Sequence, residues 1–171
     1  MTFHPLGREL GRTPRRAAPV SVRTRQNLRP VRSLDWRKLK AEVDAYVANL
    51  PLDKQAQLPL AGTLPEIMVG IGLLLGGYLF TFQTSDNGGR LVLGGAVVDF
   101  QIYQGTVTTV IRVQGDYWHS LPDRVLKDRA QFDLLKSRGY LVWDAWEHDV
   151  YVAWEQGRIA DFVREGIESA I

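Results

Sequence analysis

Hydrophobic positions are densest between Gly94 and Gln114, and their spacing is that of strands. Ala96–Tyr103 and Thr106–Gln114 are almost wholly apolar, and a tight turn at Gln104-Gly105 joins them into a hairpin. One acid, Asp99, falls in the middle of the first strand. A carboxylate in a hairpin otherwise fit for burial costs free energy unless it is paired or bound to a metal. Polar and aromatic groups follow where the second strand ends: Gln114, Asp116, Tyr117, Trp118 and His119.

The surrounding pattern alternates between helix and strand periods. Ser33 is a plausible N-cap for a helix over 34–50, with Leu39, Val43, Tyr46, Val47 and Leu50 on one stripe and Pro51 ending it. Residues 51–62 read as a linker. Thr63-Leu64-Pro65-Glu66 has the spacing of a capping box with proline in the first turn, and it opens a helix that ends at Gly76-Gly77. The glycines of that helix weaken it and let another backbone approach closely. Tyr78–Gln83 reads as a strand, 85–89 as a loop and Arg90–Leu93 as a short edge strand. Leu121–Arg138 reads as a helix with Val125, Phe132 and Leu135 on one face, stopped by Gly139. Tyr140–Trp146 is another strand, Glu147–Asp149 turns the chain, and Ile159–Ile171 is an amphipathic helix with Ile159, Phe162, Val163 and Ile167 facing inward. The expected fold is α/β (α+β): a mixed sheet flanked by helices.

Charge changes this picture at the N-terminus. The 171-residue chain carries a formal net charge of +2. Residues 1–33 nevertheless hold eight arginines (Arg8, Arg12, Arg15, Arg16, Arg23, Arg25, Arg29, Arg32) against one acid, Glu9, a net of +7. The other 138 residues hold 13 basic and 18 acidic groups, a net of −5. A proline-bearing, period-free segment of this kind buries too little apolar area to offset its ordering entropy, so residues 1–33 read as an extended basic arm. Guanidinium groups suit bidentate phosphate contacts, and each neutralised phosphate adds sequence-independent, salt-dependent affinity. The arm therefore points to DNA as a partner, or to protein subunits of a larger assembly across which it threads. A solubilising tail is the plain alternative. No cysteine is present, which excludes disulfides and thiolate metal sites. The apolar run Ile67–Phe80 is 14 residues, too short for a bilayer span of about 20. No secretory leader is visible. The expectation is a cytoplasmic or virion-associated protein without a membrane partner.

The helix–strand order, the Asp99 hairpin and the Trp118-His119 ending together resemble the PD-(D/E)xK nuclease superfamily. The likeness is to very-short-patch repair endonucleases and related small phage and bacterial nuclease-like proteins, and it covers roughly Thr63 to Trp146. It implies a restriction-endonuclease-like αβββαβ core over 63–171 and a metal-dependent DNA endonuclease hydrolysing phosphodiester bonds with Mg²⁺ or Mn²⁺. On that pattern Asp99 takes the place of the first acid and Glu66 that of the helix glutamate. Both would be catalytic metal ligands. The acid-x-lysine pair falls on Arg112 and Gln114, which can neither ligate a metal nor act as a base. The repair-endonuclease pattern would instead have Val113 lend its backbone carbonyl to the metal. There Gln114 replaces a first histidine, positioning water or phosphate, and His119 matches a second as the proton-transfer group. Asp116 would stand in for the missing acid. Lys127 and Arg129, on the exposed face of their helix, would contact phosphate beside the arm arginines.

Each of these residues also has a structural reading. Glu66 closes a capping box onto Thr63. Asp99 pairs with Arg112 on the neighbouring strand. His119 is an ordinary hydrogen-bonded histidine, and Tyr117 and Trp118 pack at the core or rim, with base stacking as their functional alternative. Trp143, Trp146 and Trp154 are core, and Asp144, Glu147, His148 and Asp149, which have the look of a metal cluster, read instead as a solvated strand end. Two functions follow: an endonuclease, or a catalytically inactive nuclease-fold protein acting through its arm as a nucleic-acid-binding or structural component, for example of a phage particle.

Overall fold

A hairpin forms where the pattern predicts one, and its strands read as near-continuous apolar runs because they are covered on both faces. The computed structural model describes residues 35–83, 91–93, 96–115 and 122–170, all within the compact unit Ser33–Ile171. In chain order these form α1 (Trp36–Ala48), α2 (Leu52–Gln55), α3 (Leu64–Leu75), β1 (Phe80–Phe82), β2 (Leu91–Leu93), β3 (Ala96–Val98), β4 (Phe100–Gln104), β5 (Val107–Gln114), α4 (Pro122–Ser137), β6 (Leu141–Trp146), α5 (Glu147–Glu155) and α6 (Ile159–Ser169). The architecture is α+β. A four-stranded mixed sheet has the order β1-β4-β5-β6, and β2 and β3 form a separate antiparallel pair. β1, β4 and β5 pair antiparallel, while β5 and β6 pair parallel. A parallel pair needs a crossover between its strands, and α4 supplies it.

Successive residues of β5 and β6 point to opposite faces and build two cores. Ile111 and Trp143 join Phe100 and Ile102 in the larger core, against Leu39 and Val43 of α1, Met68 and Ile71 of α3, Val150 of α5 and Val163 of α6. Val110 and Val142 join Val98 in the smaller core, against Leu135 and Phe132 of α4. Each fully buried side chain of this size stabilises the fold by roughly 1.5–3 kcal/mol. Leu58, from the segment between α2 and α3, belongs to the larger core as well.

Two glycines do specific work. Gly105 has φ +65° and opens the two-residue hairpin loop Gly105-Thr106, one position later than the predicted turn. Gly72 lets α3 and α6 close on each other, since a Cβ there would lie 2.6 Å from Val163 Cγ2 and 2.9 Å from the Ile159 carbonyl oxygen. The close approach expected of the glycines in α3 is therefore present.

Several sequence expectations are corrected. The N-cap of α1 is Asp35, whose carboxylate accepts from the Arg37 and Lys38 amides at 3.1 and 3.3 Å. Within the segment read as a linker, Leu52–Gln55 forms a short helix. The strand expected over Ala96–Tyr103 is divided at Asp99 into β3 and β4. Glu147–Asp149 is not a turn but the opening of α5. Its helical period was masked by the acids of its first turn, which favour a helix N-terminus. Of the three tryptophans read as core, Trp143 is buried, whereas Trp146 and Trp154 are half-buried.

Candidate functional site

The division at Asp99 is a bulge. The Asp99 amide donates to the Ile111 carbonyl at 2.9 Å, while Phe100 is also in register with Ile111, so two residues of one strand oppose one of the other. Consistent with this slip, Val98 lies in the smaller core but Phe100 and Ile102 in the larger. The bulge turns the Asp99 carboxylate along the strand, where it stands in for a backbone acceptor. Its Oδ2 accepts from the Val113 amide at 2.7 Å, and its Oδ1 accepts from the Gln83 side-chain amide. The Gln83 backbone N–H donates to the Asp99 carbonyl at 3.3 Å. Asp99 is only 9 % exposed, so these bonds offset the desolvation that made it conspicuous in the sequence.

Arg112 does not pair with Asp99. Its Nε and Nη2 donate to Oδ1 and Oδ2 of Asp144 at 2.6 and 2.7 Å, a bidentate pair, and its Nη1 donates to the Asp128 carbonyl at 3.1 Å. Its guanidinium carbon also lies 5.7 Å from the centre of the Phe132 ring. Arg112 and Asp144 are direct register partners on β5 and β6, and Asp128 and Phe132 belong to α4. The ion pair therefore clamps the crossover helix to the parallel strands. Gln114 donates to Asp144 Oδ1 at 3.4 Å. Asp144, expected at a solvated strand end, is the centre of this network.

Glu66 Oε2 accepts from the Thr63 amide at 2.6 Å, closing the capping box. Val113 meets Asp99 through its N–H and not its carbonyl. Arg129 is exposed and pairs with Asp133 at 3.6 Å within α4. Asp116 and His119, the eight arm arginines, and the side chain of Lys127 lie outside the described residues. Among the described residues no group of three or more histidine and acidic side chains is placed to hold a metal ion. Glu66 is turned onto Thr63, and Arg112 and Gln114 act as nitrogen donors on Asp144. No described helix is long and apolar enough to cross a membrane.

Sequence reasoning singled out Asp99 but missed its partner Gln83 and the Arg112–Asp144 pair. Thirty-two positions separate the latter two in the chain, and only the parallel register of β5 and β6 joins them. No protein-family model matches the chain, and neither does any curated protein or solved structure.

Proposed function

We propose that this protein binds nucleic acid through its arginine arm, carried on a nuclease-like body whose former reaction centre now serves the fold. The observation that carries this reading is the bidentate Arg112–Asp144 pair with Gln114 beside it. On the nuclease resemblance Arg112 and Gln114 fall at the acid-x-lysine positions, and both are engaged with Asp144 of β6. The sheet order β1-β4-β5-β6, with α3 before it, α4 between β5 and β6, and the separate β2-β3 pair inserted after β1, supports descent from an αβββαβ core. The eight arginines of residues 1–33, opposed by a single acid, supply the affinity for phosphate.

The test is DNA binding by fluorescence anisotropy across a salt series. The full chain is compared with one in which the eight arm arginines are replaced by glutamine. If every arm arginine meets a phosphate, the slope of log K against log salt approaches about −7 on duplex DNA, and the substituted chain loses most of it. Equal binding by both chains would sink the proposal.

Asp99 favours a second reading, that of a Mg²⁺- or Mn²⁺-dependent endonuclease, because a bulge aims a buried carboxylate at the end of the hairpin. Metal-dependent nicking of supercoiled DNA that disappears in Asp99→Ala would establish it. Arm-dependent association between copies, without DNA affinity, would point to a structural component of an assembly.

A further inference from the structure

Of the four tryptophans whose side chains are described, Trp36 alone is exposed, at 59 %. An indole left in solvent forgoes the burial that makes aromatic side chains the main contributors to cores and interfaces. It stands at the first turn of α1, where the arm joins the body. The Arg37 guanidinium carbon lies 5.8 Å from the centre of its ring, a cation–π contact. Lys38 and Lys40 follow with side chains 74 % and 55 % exposed, paired one turn on with Glu42 at 3.6 Å and Asp44 at 2.6 Å, and seven basic residues against three acids fall between Arg23 and Asp44. The helix amides themselves are not the attraction, because Asp35 already accepts from those of Arg37 and Lys38.

We infer that Trp36 is a stacking platform for an unpaired base, which makes single-stranded DNA the preferred ligand of the surface at the first turn of α1. This rests on the nucleic-acid reading above and adds to it the class of nucleic acid. Phosphate contacts do not sense whether a base is paired, since single and double strands both offer charged phosphates. An exposed indole does, because only an unpaired base offers its π-face to a side chain, and every base has one. The preference is therefore for single strands and tolerant of sequence. Arg37 lies against the same ring, and its charge adds attraction toward the strand's phosphates.

The experiment is anisotropy with a labelled oligothymidylate and with a duplex of equal length, at one fixed salt concentration, using the full chain. Trp36→Ala weakens single-strand binding roughly 5- to 150-fold, the range of one base stack, and leaves the duplex within about twofold. Trp36→Phe recovers most of the loss, and neither variant alters the salt slope. Both keep the wild-type melting temperature, since the side chain is exposed. Unchanged single-strand binding in Trp36→Ala, or an equal loss on duplex, overturns the inference while leaving the nucleic-acid reading intact. Failure of the wild-type chain to bind either probe overturns both.

Discussion

Removing the carboxylate of Asp144 strands a buried guanidinium. The Arg112 side chain is 5 % exposed and that of Asp144 is 24 %. Breaking a buried ion pair by deleting one partner costs about 3–5 kcal/mol, because the survivor keeps its desolvation penalty without compensation. Water reaching Asp144 moves the estimate for Asp144→Ala to the lower end, about 3 kcal/mol, or roughly 6–12 °C in melting temperature. The opposite deletion is milder. Arg112→Met leaves a carboxylate that solvent can reach, and it costs about 2 kcal/mol, part of which is the lost bond to the Asp128 carbonyl. Replacing both residues removes the charge problem altogether, so Arg112→Met with Asp144→Ala recovers to within about 1.5 kcal/mol of wild type. The four proteins form a double-mutant cycle, measured by urea unfolding followed by circular dichroism. A cost below about 1 kcal/mol for Asp144→Ala, or a double variant as unstable as the two singles added together, would refute the argument. The clamp would then be incidental to holding α4 on the sheet.

Gly166→Ala, which in an open helix stabilises by about 1 kcal/mol, is expected here to destabilise by at least about 2 kcal/mol. Its Cβ would fall 2.1 Å from Trp143 Cε2, and thermal melting with no loss would contradict this packing. Asp99→Ala orphans the Val113 amide and costs about 2 kcal/mol, whereas Asp99→Asn keeps an acceptor for it and costs less than about 1 kcal/mol. Equal losses in the two variants, measured by urea midpoints, would show that charge and not acceptor geometry matters there. Glu66→Ala loses its bond to the Thr63 amide and about 1 kcal/mol of stability, with DNA affinity unchanged. A fall in DNA affinity would instead give Glu66 a role at the ligand.

Much of the fold was legible because local rules and tertiary packing agree. The hairpin follows from two apolar runs around Gly105, α3 from a capping box and proline, and α6 from a stripe whose members Ile159, Val163 and Ile167 are all buried. The site was legible only in part. Asp99 stood out by a simple rule, that a carboxylate among apolar strand residues must be compensated, but the compensating groups were hidden. Gln83 lies on another strand, and Val113 contributes a backbone amide that no side-chain pattern reveals.

The amino-acid sequence by itself determined the strand and helix periods, the asymmetric charge that sets an arginine arm against an acidic body, and the glycines that turn and cross the chain. Each of these depends on residues near one another along the chain. Only the tertiary structure decided that Asp99 lies in a bulge, that Arg112 belongs to Asp144, and that Trp36 stays outside the core. Those outcomes depend on strand register and on which faces the helices cover. A one-residue slip in register reverses every side chain of a strand, and no local pattern encodes it across thirty-two positions.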